Sequence, residues 1–354
     1  MNIAVIGTGN AGTAHAALLT LAGHDVILLK TTPAASENYD AIQAAGGITL
    51  TEGGTETFVR VGITRDPSEA LNRAAAAIVM TTTNAHANVA KLISPHAQHL
   101  QALALIPGYM GTTIFRRALP EGVLLIEGES TPADARVEAP GRVRVLYRNA
   151  RNPVAANPAS RNQEALTFMR TLFPTYDRTR ANVIDSALHN PNVIVHTIGA
   201  IMSAARIEHS LGEFWMYREA FTPSTWRLVT ALDREKMRVL SAYGCEPVSY
   251  LQAAHYRNAR DAALTLEESF ATYASDGSPK GPTHADSRYV TEDVPMGLGL
   301  LASLARNAAI ETPTTDALIT IAGALLDRDF HAETRTLERL GVPGGAEATL
   351  ASIT

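Results

Sequence analysis

The chain opens Met1-Asn2-Ile3-Ala4-Val5-Ile6-Gly7-Thr8-Gly9-Asn10-Ala11-Gly12, and the reading of that stretch decides the fold. Residues 2 to 6 form an apolar run of strand length. A helical pattern follows through Ala14, Leu18, Leu21 and Ala22, and then, after Gly23-His24, a second strand from Asp25 to Leu29. Strand, glycine turn, helix and strand in this order give the G-x-G-x-x-G match its force. Gly7 makes the tight turn, Gly9 lets backbone approach a pyrophosphate, and Gly12 lets the helix lie close on the strand. The N–H groups of the first turn, at Asn10 and Ala11, face the phosphates. A nicotinamide dinucleotide is the expected cofactor.

The end of the second strand bears on which one. An NAD site usually carries an acidic residue there, for the ribose 2′-hydroxyl. This chain reads Lys30-Thr31-Thr32. A lysine and two hydroxyls would accept a 2′-phosphate that a carboxylate would repel, so NADP(H) is favoured and NAD(H) is the alternative.

Further along, two alternating runs flank Glu52-Gly53-Gly54 between Gly46 and Thr64, which predicts a hairpin inserted into the same sheet. Buried strands are expected at Ala76 to Met80, Ala102 to Ile106, Val123 to Ile126 and Val143 to Tyr147. Strand ends of this kind form the ligand crevice of a doubly wound sheet, which makes Thr82, His86 and Pro107 candidate cofactor contacts. Thr131, in the loop Glu127 to Thr131 on the same edge, is a candidate substrate contact. Residues 161 to 173 read as a helix, and Phe173-Pro174 ends the α/β part.

Beyond residue 180 the strand signals stop. Helical patterns fall at about 191–210, 224–243, 258–275, 294–310 and 313–327. The expected architecture is α/β: a Rossmann-type dinucleotide-binding domain over 1–178, followed by an all-helical substrate domain over 179–354.

Chemistry concentrates in two stretches of that second half. In His189-Asn190-Pro191-Asn192-Val193-Ile194-Val195-His196, Asn190 is a good N-cap and Pro191 suits the first helical position. Asn192 and His196 then stand at i and i+4 on one face, roughly 5–6 Å apart at Cβ. Gly199, Ala200 and Ser203 continue that face with small residues, leaving room for a ligand. A titratable imidazole beside an amide suits proton transfer. The second stretch, Arg288-Tyr289-Val290-Thr291-Glu292-Asp293, precedes a nearly all-apolar helix. Arginine's fork suits bidentate binding of a carboxylate. An aspartate beside the imidazole would fix its tautomer and raise its pKa. His196 and Asp293 are therefore predicted to meet by hydrogen bond, in the interdomain cleft. The competing structural reading is an arginine–aspartate pair at a helix start.

Composition bounds the partners. The 354 residues suffice for two domains. A net charge of -5 without a Lys/Arg block argues against nucleic acid. The single cysteine, Cys245, excludes an internal disulfide. Met1 to Ile6 lack a charged leader and no apolar run approaches about 20 residues, so neither a signal peptide nor a membrane span is expected. A cytoplasmic enzyme of small molecules, without a metal and compatible with a homodimer, is the expectation.

Taken together, these residues resemble the opine dehydrogenases of the octopine and nopaline dehydrogenase family. The resemblance rests on Gly7-x-Gly9-x-x-Gly12, the Glu127 to Thr131 loop, Asn192-x-x-x-His196, Ala231-Leu232-Asp233-Arg234-Glu235 leading to Tyr243-Gly244, and Arg288-Tyr289-x-x-Glu292-Asp293. It implies a helical domain like the C-terminal one of 6-phosphogluconate dehydrogenase. It implies that His196 is the catalytic acid/base paired with Asp293, that Arg288 binds a substrate carboxylate, and that Asn192 positions substrate. The implied reaction condenses an amino acid with a 2-oxo acid, pyruvate or 2-oxoglutarate, and reduces the imine with a nicotinamide cofactor. Lys30-Thr31-Thr32 departs from the expected acid. Two other readings compete. One is a reductase of a simple carbonyl, of the glycerol-3-phosphate or ketopantoate type, but such enzymes generally use a lysine and none occurs between Lys91 and Lys236. The other is a non-catalytic NADP(H) sensor, which would need no proton donor.

Overall fold

The computed structural model describes residues 1–354 and divides into two compact units, Met1–Thr179 and Arg180–Thr354. The first is built on twelve strands: β1 (Asn2–Ile6), β2 (Asp25–Leu29), β3 (Gly47–Glu52), β4 (Thr55–Arg60), β5 (Gly62–Thr64), β6 (Ala76–Val79), β7 (Ala102–Leu105), β8 (Leu124–Gly128), β9 (Ala133–Ala139), β10 (Arg142–Arg148), β11 (Asn152–Asn157) and β12 (Tyr176–Thr179). Eight of them form one sheet in the order β12-β11-β8-β7-β6-β1-β2-β5. The chain therefore reverses direction of travel across the sheet at β1 and β6, the switch point where a doubly wound sheet opens its ligand crevice. All neighbours in that sheet are parallel except β8 and β11.

The apolar runs of β1, β6 and β7 follow from burial on both faces. Ile3 and Val5 point into one core with the Asn10–Leu21 helix, whereas Ala4 and Ile6 point into the other with Val89 and Phe115. Alternation in space thus needs no alternation in polarity.

The hairpin is where sequence expectation and structure part. β3 and β4 pair antiparallel as read, but they do not enter the main sheet. They join β10 and β9 in a separate four-stranded sheet of order β4-β3-β10-β9. Only the short β5 returns to pair with β2. Strands β9, β11 and β12 carried too weak a pattern to be read, and β12 extends the α/β unit past Phe173-Pro174. The second sheet is tied to the glycine turn by Asn10, whose Oδ1 accepts the Val137 N–H at 2.8 Å.

In the second unit every regular element is helical, and the one strand-like contact is an isolated bridge between Trp215 and Gly281. The helix expected over 191–210 is three pieces: a 3-10 turn Pro191–Val193, a helix Val195–Met202 and a helix Ala204–His209, with the break at Ser203. The helix expected over 258–275 starts late, and a separate helix precedes it. Tyr250–Asn258 ends where a loop begins, and Thr265 starts Leu266–Asp276 with a capping box completed by Glu268. Pro223–Ala242 and Pro313–Leu326 lie close to their expected bounds. From Arg288 to Asn307 the chain is helical almost throughout, interrupted by a π-helical turn at Val294–Leu298. No helix is long and apolar enough to cross a membrane.

Candidate active site

His196 sits in the first turn of the Val195–Met202 helix and is nearly buried. Its Nδ1 lies 2.8 Å from Oδ2 of Asp293, which stands at the entry to the π-helical turn. The hydrogen bond between residues 97 positions apart is thus present, and it defines the tautomer. Nδ1–H donates to the carboxylate, so Nε2 is the nitrogen left to take up or release a proton. Tyr289, one helical turn before Asp293, stacks its ring on the imidazole with centroids 3.7 Å apart and planes 9° from parallel. Tyr289 and Asp293 at i and i+4 therefore share one face of their helix, and both act on the same histidine.

Arg288 and Glu292 occupy the adjacent face in the same spacing, with Nη1 3.4 Å from Oε2. The arginine therefore pairs with Glu292 rather than with the aspartate. The carboxylate is buried, whereas 49% of the arginine side chain is exposed, so its fork remains reachable for an incoming carboxylate. The π-helical turn next to the site has its own anchor: the Pro295 carbonyl accepts the Arg335 N–H at 2.9 Å. Wide turns of this kind recur at functional sites, because they offset the face of a helix locally.

The entry to the histidine helix is held by Asn190, whose Oδ1 accepts the Asn192 N–H at 3.0 Å. Asn192 stands half-buried on the 3-10 turn. The small-residue face behind His196 is not an open stripe, however. A Cβ on Gly199 would overlap Met216 and touch Phe221, so that face is filled by packing.

In the first unit the glycine turn fits a dinucleotide. Gly7 has φ +117°, and a Cβ there would press on the Met80 carbonyl. A Cβ on Gly12 would overlap the Gly7 carbonyl oxygen, so the helix can lie this close only without one. Gly9 faces open space, and no side chain caps the helix it precedes. First-turn N–H groups at Asn10, Ala11 and Gly12 are thereby left for an anionic group. At the end of β2, Lys30 Nζ donates to Thr32 Oγ1 at 2.7 Å beside half-buried Thr31. Burial and the neighbouring charge of Arg65 push the Lys30 ammonium below its ordinary value. Arg65, which the sequence did not single out, is held by the Pro33 carbonyl at 2.7 Å and lies 4.5 Å from the Tyr39 ring.

Other expected contacts lie differently. His86 is fully buried, edge-on to Phe115, and it abuts Gly111, where a Cβ would overlap its Nδ1. It supports the turn after Pro107 from inside the core, which corrects its reading as a cofactor contact. Thr82 is exposed, at the start of the 3-10 turn Thr83–Ala85. Thr131 Oγ1 reaches Asp134 at 3.4 Å, and its carbonyl accepts from Asn149. Glu127 lies in β8 rather than in a loop, and its buried carboxylate accepts the N–H groups of Met110 and Thr112 and the Thr112 hydroxyl.

The helical unit matches the family described as NAD/NADP octopine/nopaline dehydrogenase, alpha-helical domain, over residues 179–326. Residues 2–114 match the NAD-dependent glycerol-3-phosphate dehydrogenase N-terminus. Along 99% of its length the chain is 30% identical to an opine dehydrogenase of Arthrobacter sp. (strain 1C), of which it covers 97%. The chain belongs to the opine dehydrogenase family. Opine dehydrogenases are NAD(P)-dependent oxidoreductases acting on CH–NH bonds, and this chain is one of them by descent and by fold. An octopine dehydrogenase solved with NADH and agmatine superposes with a TM-score of 0.76 at 21% identity, over 99% of this chain and 98% of that one. A yersinopine dehydrogenase with NADP+ bound gives 0.72 at 14% identity, over 100% and 97%.

Proposed function

We propose that this opine dehydrogenase reduces the imine of a 2-oxo acid and an amino acid, with His196 as proton donor, Asp293 as its partner, Arg288 as carboxylate anchor and NADPH as favoured cofactor. The amine and the keto carbon condense with loss of water to give the imine. A nicotinamide dinucleotide held at the Gly7–Gly12 turn would supply the hydride that reduces the imine carbon. His196 gives the Nε2 proton to the imine nitrogen, and the product is a secondary amine flanked by carboxylates. The observation that carries this reading is the 2.8 Å His196–Asp293 bond. A neutral imidazole is a poor acid at pH 7, whereas one ion-paired through Nδ1 holds its proton until a base arrives. Arg288 takes one substrate carboxylate, and Asn192 and Thr131 are the further substrate contacts of this proposal. The preference for NADPH is supported by Lys30, Arg65 and Thr32 at the end of β2, where the stretch Lys30-Thr31-Thr32 carries no Asp or Glu. A cytoplasmic setting and a homodimer are part of the same proposal, in keeping with the single buried thiol.

The test is turnover. NADPH oxidation must require both an amino acid and a 2-oxo acid, and mass spectrometry must find the N-(carboxyalkyl) amino acid. Rapid oxidation with the 2-oxo acid alone, giving a hydroxy acid, would end this reading. In the same assay Lys30→Asp should move the ratio of kcat/KM from NADPH towards NADH by at least tenfold, and a wild-type preference for NADH would refute the cofactor assignment.

A further inference from the structure

A hydrogen bond fixes one point of a ring, not its plane. The Asp293 carboxylate holds His196 at Nδ1, but the imidazole could still turn about that bond and swing Nε2 away from the substrate. The second constraint is the Tyr289 ring, 3.7 Å away and within 9° of parallel. We propose that Tyr289 is a positioning residue, which fixes the plane of the His196 ring and carries the imidazolium on its π face until the proton leaves. The proposal rests on His196 being the proton donor.

The attraction has a sign. A neutral imidazole gains little from a parallel aromatic ring, whereas a cation over a π face is attracted to the ring's negative quadrupole. The stack therefore favours the charged acid over the neutral base and stiffens the pair between turnovers. Other charges near this helix are engaged elsewhere. On the Arg288–Thr291 side, Arg288 pairs with Glu292 and lies 5.9 Å from the Tyr289 ring. In the Pro223–Ala242 helix, Asp233 and Lys236 pair at 2.6 Å, and Glu235 accepts from Thr314 and Thr315. The Pro313–Leu326 helix offers only Asp316, in its first turn. On Ala204–His209 and Met216–Glu219, Arg206 pairs with Glu219 and Arg218 donates to the carbonyls of Ala274 and Ser275, while Glu208 and His209 lie near the far end of their helix.

The experiment is an NMR titration of the His196 ring in the whole enzyme, for wild type, Tyr289→Phe and Tyr289→Leu, alongside pH profiles of kcat/KM. Phenylalanine keeps the π face and should leave the His196 midpoint unchanged. Leucine fills similar space without it and should lower the midpoint by about half to one pH unit, with the same shift in the kinetic limb. If Tyr289→Leu does not fold, Tyr289→Met gives the same contrast with Phe. An unshifted midpoint in the aliphatic variant, or an equal shift in Tyr289→Phe, overturns the proposal. The NMR midpoint does not depend on turnover, so it tests the stack even if His196→Ala proves active and the proton-donor reading fails.

Discussion

Two histidine–aspartate pairs lie seven residues apart in the second unit, and they serve different ends. His189 Nδ1 lies 2.7 Å from Asp185 Oδ1 and hydrogen-bonds the Asp185 backbone carbonyl at 2.9 Å, and its Nε2 meets the Val248 carbonyl at 3.3 Å. Asp185 also accepts the Ala181 N–H and lies 3.9 Å from the Arg180 guanidinium. Both nitrogens of that ring face protein oxygens, and the side chain has no exposed surface. At His196 the Nδ1 hydrogen bond goes to the Asp293 carboxylate itself, and an aromatic face and a half-exposed arginine stand on the same neighbouring helix. A histidine–carboxylate pair is therefore not in itself a catalytic signal. What surrounds the rest of the ring separates a proton donor from a structural brace.

The sharpest way to break this comparison is to remove each ring in turn. His196→Ala should lower kcat by roughly 10²–10⁴-fold with NADPH binding unchanged, measured by steady-state assay and cofactor fluorescence. His189→Ala should leave the folded enzyme's kcat close to wild type while lowering its midpoint in urea. Equal losses of kcat in both variants would abolish the distinction.

Next in size is the carboxylate of the brace. Burial alone would raise the Asp185 pKa, but the His189 bond, its charge, Arg180 and the Ala181 N–H together bring it below the ordinary carboxylate value. A depressed acid contributes stability that is present above its unfolded pKa and lost as pH falls through the folded one. Asp185→Ala removes a buried carboxylate that lies beside the Arg180 guanidinium and the His189 ring, and it should cost about 3–5 kcal/mol in chemical denaturation at neutral pH. That cost should shrink in strong acid. A variant as stable as wild type at pH 7 would show that the brace does not hold this region.

A third histidine extends the contrast to a ring with no carboxylate at all. His15 is fully buried in the Asn10–Leu21 helix, bonded to the Ala11 carbonyl and edge-on to Phe173. Burial pushes its pKa down to about 4. The unfolded chain then binds more protons than the folded one between pH 6.5 and 4, so stability is full above that window and falls as pH drops through it. The loss should reach about 3 kcal/mol. Denaturation midpoints at pH 6.5, 5.5 and 4.5 should therefore converge in His15→Met relative to wild type. A wild-type slope in the variant would assign the acid lability elsewhere.

How much of this was legible depends on distance along the chain. The glycine turn was readable because its geometry is local: Gly12 must lack a Cβ to pass Gly7, five residues away. The fate of the β3–β4 hairpin was not, since nothing within it says that β10 will pair alongside. For the same reason Arg65 escaped notice, because it reaches the end of β2 only through the pairing of β5 with that strand. The late start of the helix expected over 258–275 did leave a signal, the Thr265 and Glu268 capping box, which apolar periodicity alone overrode. His196 and Asp293 could be joined across a hundred residues because the chemistry demands an acid and a partner for it. Their neighbours His189 and Asp185, a local i,i+4 pair, went unread because no reaction asked for them.

The π-helical turn at Val294–Leu298 gives this arrangement a mechanical property. It works as a splice between two stretches of helix whose angular settings are decided separately. On one side, Arg288 to Asp293 are aimed by the site; on the other, Gly299 to Asn307 are clamped into the core, where Gly299 lies tight against Thr334. In an uninterrupted α-helix, each added or deleted residue turns everything beyond it by about 100°. The splice takes up such an offset within one wide turn, so the side chains from Arg288 to Asp293 can drift in evolution without dragging the core out of register.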